Sequence, residues 1–289
     1  EDEIRAYIAD FRPDLVGIQA MFTAFVYDAL DTAEIAKQVD PNVPVIMGGA
    51  HASVSAKQLL ANPNVDLVCK GEGEITMLEL ANAIASGNDT NSILGTYCRD
   101  DNGDLNFNGD RPYVSDLDTL PFPARHLMPM DIYIRESKKS RYNMRSPGTF
   151  IVSSRGCTRH CVFCSIHSVW GNEYRMRSAS DVVSEIEHLT TDYGIREIQF
   201  IDDNVSQKTN RMMEICERIV ENKIDIRWAT PNGIAIWTLT TELLDRMKKS
   251  GCYRLTFGIE SNSKETQRFI TKEYNMDQVQ QLLEHANKI

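Results

Sequence analysis

No run of apolar residues in this sequence is longer than a β-strand, Val43 to Met47 being representative. A membrane-spanning helix needs ~20 such residues, so no span is expected. A basic excess is missing as well: 31 Lys+Arg stand against 41 Asp+Glu, a formal net charge of −10. Nucleic-acid phosphates and anionic lipid surfaces both require a basic face, so neither is expected as a partner. Internal repeats and low-complexity tracts are absent, and the amino terminus has no signal-peptide layout. Seven cysteines in 289 residues are too few, and odd in number, for a secreted disulfide scaffold.

What the sequence does have is an uneven cysteine distribution. Cys157, Cys161 and Cys164 stand close together, whereas Cys69, Cys98, Cys216 and Cys252 are scattered singly and read as small buried hydrophobes. At ~150 residues per domain, the length predicts about two domains, each able to bury a core.

From Glu1 to about Ser92, strand-like runs (Leu15 to Met21, Val43 to Met47, Asp66 to Lys70) alternate with helical ones starting near Glu3, Tyr27, Ser53 and Glu74. Such βα alternation predicts a parallel sheet covered by helices. Residues 93–147 break the rhythm with a hairpin signal at Asp100-Asp101-Asn102-Gly103-Asp104 and a scatter of prolines, which predicts a hairpin and an extended linker. After Pro147 the alternation resumes. Strands are expected at Thr149 to Ser154, Glu197 to Ile201, Ile224 to Thr230 and Tyr253 to Ile259, with helices at Ala179 to Tyr193, Thr209 to Asn222, Thr240 to Ser250 and Met276 to Lys288. The expected domains are therefore residues 1–92 and 148–289. A barrel-like α/β domain needs more than four strands, and the chain starts at Glu1 rather than Met, so both ends are expected to be cut from a longer protein.

The strongest chemical signal is Gly156-Cys157-Thr158-Arg159-His160-Cys161-Val162-Phe163-Cys164, just after the strand that opens the second domain. Cys-X3-Cys-X2-Cys puts three thiolates on one short loop, where they can hold a four-iron cluster and leave one iron open to a ligand. A closed zinc site completed by His160 or His167 is the alternative, weakened by the absence of a second Cys-X2-Cys pair. A core role does not suit so polar a loop.

This motif, behind the first strand of a βα series, resembles the signature of the radical S-adenosylmethionine (SAM) superfamily. The resemblance implies Cys157, Cys161 and Cys164 as ligands of a 4Fe-4S cluster and Phe163 beside the SAM adenine. It also implies Asp203 near the SAM amino group, and Glu260 with Ser261 near the ribose. Asp202-Asp203-Asn204, Asn232-Gly233 and Gly258-Ile259-Glu260-Ser261 follow the second, third and fourth strands and would face one mouth, where parallel α/β domains bind ligands. The competing reading for the acidic and serine residues is helix capping. Arg175 and Arg177 read as solvated arginines leading into a helix capped by Ser178 or Ser180. Tyr142, Tyr174 and Trp228 read as core aromatics.

The first domain is similar to cobalamin-binding domains, which carry Ser-X-Leu after one strand and Gly-Gly about one βα unit later, along the channel for the corrinoid's nucleotide tail. Here Gln19-Ala20-Met21 replaces Ser-X-Leu, and Gly48-Gly49 stands at the matching distance, followed by His51 and then by Gly71 after the next strand. Only 18 residues precede Gln19, too few for the family's axial-histidine motif.

Taken together, the resemblance implies an α/β chain: a Rossmann-like cobalamin-binding domain lacking its start, then a partial (β/α)6 radical SAM barrel lacking its end. The implied activity is reductive SAM cleavage and methylation of an unactivated carbon in a small molecule. A flavodoxin or ferredoxin-type electron donor and a cytoplasmic setting would accompany it. A radical SAM cyclase without methyl transfer, and a zinc-stapled or cobalamin-sensing binding protein, are the alternatives. No general acid or base stands out.

Overall fold

The computed structural model describes residues 1–100 and 102–289. Among them no helix is long and apolar enough to cross a membrane. The chain folds into two units, one of Glu1–Val114 with Ser165–Gly171 and the other of Ser115–Cys164 with Asn172–Ile289.

The first unit runs α1 (Asp2–Phe11), β1 (Val16–Gln19), α2 (Val26–Val39), β2 (Val45–Gly48), α3 (Ala50–Leu60), β3 (Leu67–Cys69), α4 (Glu74–Ala85), β4 (Thr96–Arg99) and β5 (Leu105–Phe107). The sheet order is β1-β2-β3-β4-β5, with the first three strands parallel and the last two antiparallel. β4 and β5 are the expected hairpin; Asp101, part of the sequence signal for it, lies outside the described residues. Ala29, Ala33 and Ala36 line the buried side of α2, their small side chains letting the helix settle against a core of Val45, Met47 and Val68. α3 begins at Ala50, three residues before the expected start, with Gly49 as its N-cap.

The second unit opens with α5 (Met130–Ser137), β6 (Gly148–Ile151) and β7 (Ser154–Arg155). α6 (Ile166–Trp170), which belongs to the first unit, interrupts it in sequence. β8 (Arg175–Met176), α7 (Ala179–Asp192), β9 (Glu197–Phe200), α8 (Thr209–Glu221), β10 (Arg227–Ile234), α9 (Thr241–Lys249), β11 (Cys252–Phe257), α10 (Lys264–Phe269) and α11 (Met276–Lys288) follow. β6, β9, β10 and β11 form one parallel sheet in sequential order. Ile151, Ile198, Phe200 and Trp228 meet the apolar stripes of α7 and α8 in its core, and Trp228 Nε1 donates to Ser250 O at 3.2 Å. The first strand is shorter than expected because the chain leaves the sheet after Ile151 and pairs again as the two-residue β7 against β8. The third strand runs further than expected, so Asn232 and Gly233 lie inside β10, at a register shift between Thr230 and Ile234, rather than after it.

The start of this sheet is covered by the linker. Glu197, wholly buried, accepts from Arg145 N and from Tyr253 Oη, each at 2.7 Å, and Gln199 Nε2 donates to Asn143 Oδ1 at 2.7 Å. Trp228 is core as expected, and Tyr174 is largely buried, but Tyr142 is exposed: its carbonyl, not its ring, makes the contacts here, accepting from Tyr253 and Arg254.

Arg175 and Arg177 are not solvated either. Arg175 is buried, and Arg177 pairs with Asp181 at 2.5 Å and with Glu185, whose other oxygen receives Arg125 Nη2 at 2.6 Å. Ser178 does cap α7, accepting from Asp181 N at 3.1 Å. Removing the buried Glu185 carboxylate takes from Arg125 the carboxylate it pairs with and leaves Arg177 with Asp181 alone. Glu185→Ala is therefore expected to destabilise the chain by about 3–5 kcal/mol, and Ser178→Ala by about 1 kcal/mol. Urea denaturation midpoints check the ranking, and equal shifts for the two variants would contradict it.

Candidate functional site

In the first unit the strand ends build a cavity of about 380 Å³. Gln19 and Gly48 are register partners across β1 and β2, so the Gln-Ala-Met and Gly-Gly segments meet side by side. Gln19, Met21, Gly48, Gly49 and Gly71 all line the cavity. Gly49, at φ 106°, cannot be replaced without strain: a Cβ there would stand 3.0 Å from Ala20 O. Ser53, one turn into α3, ties two glycine turns together by donating to Gly49 O at 3.0 Å and accepting from Gly71 N at 2.9 Å.

His51 does not line this cavity. It is 5% exposed, its Nδ1 is 3.0 Å from Thr23 Oγ1, and its Nε2 is buried with no hydrogen-bond partner. Ser53, Cys69 and Trp170, none of them a site candidate from the sequence, belong to the cavity wall or its support. Ser53 was open to reading only as a helix start, and Trp170 lies a hundred residues away in the chain.

In the second unit the cysteine loop leaves the sheet under tight control. Asp202, 2% exposed, accepts from Ser153 N at 3.1 Å, Ser153 Oγ at 2.7 Å and Ser154 Oγ at 2.5 Å. From α8, Arg211 donates to Ser153 O at 2.7 Å and to Arg177 O at 2.6 Å. Asp202, Asp203 and Asn204 do not cap the next helix, whose N-cap is Lys208. Nor do Glu260 and Ser261 cap α10, where Ser263 takes that place.

The three thiols are free; Cys157 and Cys161 are partly buried and Cys164 is exposed. Cys164 N donates to Cys161 O at 3.0 Å, which curls the loop. Burial pushes the Cys157 and Cys161 thiols above their ordinary range; the Arg159 backbone N–H opposes this at Cys157, and the Lys272 charge opposes it at Cys161. Phe163 is 57% exposed. Asp203 Oδ2 accepts from Gly156 N at 3.3 Å, directly before Cys157. Although the residue as a whole is exposed, burial of its carboxyl, with the Asp202 charge adding to it, raises the pKa to about 6. Glu260 takes φ 60° and pairs with Lys272 at 2.8 Å, while Ser261 Oγ accepts from Ser263 N. Cys69, Cys98, Cys216 and Cys252 are buried; burial holds the Cys216 thiol up at about 12, chemically silent at neutral pH.

Two family models divide the chain along these sites: a B12 binding domain matches residues 1–81, and the Radical SAM superfamily matches residues 151–289. The chain thus carries a B12 binding domain and a domain of the Radical SAM superfamily. Among its relatives, the cytidylyl-2-hydroxyethylphosphonate methyltransferase of Streptomyces wedmorensis is 32% identical over 311 aligned residues, covering 100% of this chain and 58% of that protein. The anaerobic magnesium-protoporphyrin IX monomethyl ester cyclase of Rubrivivax gelatinosus is 27% identical, covering 96% of this chain and 49% of that protein. The solved radical SAM methyltransferase TsrM of Kitasatospora setae superposes with a TM-score of 0.78 at 19% identity, over 99% of this chain and 57% of that one. The chain thus spans about half the length of the relatives it matches.

The donor chemistry of the cysteine loop fits a cluster. Among the described residues, no three His, Cys, Asp or Glu side chains converge closely enough to hold one metal ion. An iron–sulfur cluster does not ask that of them, since each thiolate sits on a different iron. His167 Nδ1 is occupied in donating to Gly171 O at 3.1 Å. In the first unit, the glycine-walled cavity fits a ligand that approaches the backbone closely.

The Asp203 carboxyl, with its pKa raised from 3.8 to about 6, binds its proton more tightly in the folded chain than in the unfolded one. Stability therefore falls as pH rises from about 4 to about 6, and Asp203→Asn flattens that slope. Carboxyl NMR titration checks the assignment: a signal titrating near pH 6 should vanish in the variant, and its persistence would contradict the account.

Proposed function

We propose that the chain is the cofactor-binding part of a cobalamin-dependent radical SAM methyltransferase acting on a carbon of a small molecule. When bound, a reduced 4Fe-4S cluster supplies the electron that cleaves SAM, and cobalamin supplies the methyl group. Cys157, Cys161 and Cys164 would ligate three irons, leaving the fourth to the SAM amino and carboxylate groups. Because burial favours the protonated thiols at Cys157 and Cys161, their thiolates form as metal enters, and loading releases protons.

Asp203, anionic above about pH 6, would accept hydrogen bonds from the SAM amino group. Glu260 and Ser261 would hold the ribose, and the exposed ring of Phe163 offers a face to the adenine. Gln19, Met21, Gly48, Gly49 and Gly71 would receive the nucleotide tail of cobalamin, with His51 supporting that wall from behind. A flavodoxin or ferredoxin-type donor and a cytoplasmic setting complete the reading. The observation that carries it is the cysteine loop rising from the mouth of a parallel sheet, with the Asp203 carboxylate bonded to the residue before its first ligand.

The similarity to a magnesium-protoporphyrin cyclase favours a second reading, ring closure without methyl transfer. Labelled SAM separates the two: isotope appears in product for a methyltransferase and not for a cyclase. Under either reading, Cys157→Ala, Cys161→Ala and Cys164→Ala should each abolish 5′-deoxyadenosine formation by the anaerobically reconstituted protein. Cys216→Ala and Cys252→Ala should leave it intact. Equal losses in both sets would sink the assignment of the ligands.

A further inference from the structure

The segment that follows α10 grips the cysteine loop at two points. Val162 N donates to Ile270 O at 3.3 Å, and the Thr271 hydroxyl donates to His160 O. Thr271 takes φ 54°, a left-handed conformation disfavoured for a β-branched residue, and so turns the chain back towards the loop. Lys272 follows with its side chain only 13% exposed, its ammonium 2.8 Å from Glu260 Oε1 and 5.8 Å from the centre of the Phe163 ring. Gly258 leaves room for this pair: a Cβ there would stand 3.0 Å from both Glu260 Oε1 and Lys272 Nζ. The charge of Lys272 is felt at Cys161, where it opposes the effect of burial on the thiol.

A cation largely stripped of water and fixed beside a ligand loop acts through protein rather than through bulk solvent, so its field is weakly screened. We propose that Ile270–Lys272 is a strap on the cysteine loop and that Lys272, balanced by Glu260, tunes the reduction potential of the cluster held there. The proposal rests on the functional reading above. Reduction adds one electron from an external donor to the cluster and makes or breaks no bond. Lys272 stabilises the added negative charge and raises the potential. Glu260 neutralises part of that effect.

The two charges therefore act with opposite signs, which a merely structural role would not produce. The chain is reconstituted anaerobically with iron and sulfide and titrated with dithionite without SAM, with the reduced cluster followed by EPR. Lys272→Gln should shift the midpoint negative, Lys272→Arg should stay near wild type, and Glu260→Gln should shift it positive, all at equal iron content. In the metal-free chain, Thr271→Ala should speed amide exchange at Val162, a readout independent of any cluster. Equal midpoints for wild type and Lys272→Gln at equal iron content would overturn the tuning, and unchanged Val162 exchange would overturn the strap. A wild-type chain that takes up no iron would overturn the functional reading and the tuning with it, while the exchange measurement still decides the strap.

Discussion

One buried carboxylate carries the geometry of the second unit. Asp202 sits at the end of β9 and gathers the backbone and hydroxyl of Ser153 and the hydroxyl of Ser154, the residues from which the cysteine loop departs. Burying a carboxylate costs several kcal/mol unless its lone pairs are filled, so the position of the Ser153–Ser154 turn is not negotiable. Arg211 grips the same turn from α8 through the Ser153 carbonyl. The thiols of Cys157, Cys161 and Cys164 depend on that anchor. A loop that is to present three thiols to one ligand must be fixed in space, and the anchor supplies that property.

The first unit reaches a comparable result with almost no side chains. Pairing Gln19 opposite Gly48 puts the ends of β1 and β2 level, and the glycines there and at Gly71 keep the wall low. Ser53 does the anchoring, joining the Gly49 and Gly71 turns through one hydroxyl. In both units short polar side chains at the carboxyl ends of parallel strands set the loops, and the strands themselves only supply a rigid base.

The α/β alternation was legible because helices and strands impress different apolar periods, and α8 and α11 follow theirs closely. The cysteine motif was legible because three soft ligands on one loop have few other uses. Other features were not readable from local sequence. Asp202 looks like a helix cap, since capping and buried clamping call on the same side chain; only the position of Ser153, far away in sequence, separates them. Arg177 looked solvated because its partner Glu185 and the Arg125 that shares it are brought together by the fold. Lys272 carries no motif, and its closeness to Cys161 arises from a left-handed turn at Thr271 that a threonine does not advertise.

On the proposed reading, the loop of three thiols holds a cluster with one iron left open to SAM. Mössbauer spectroscopy of the chain reconstituted with ⁵⁷Fe, with and without SAM, tests it most directly. A four-iron cluster is expected in which one iron alone changes its isomer shift and quadrupole splitting when SAM is added. A chain that takes up zinc in place of iron, or a cluster whose irons all ignore SAM, would contradict it.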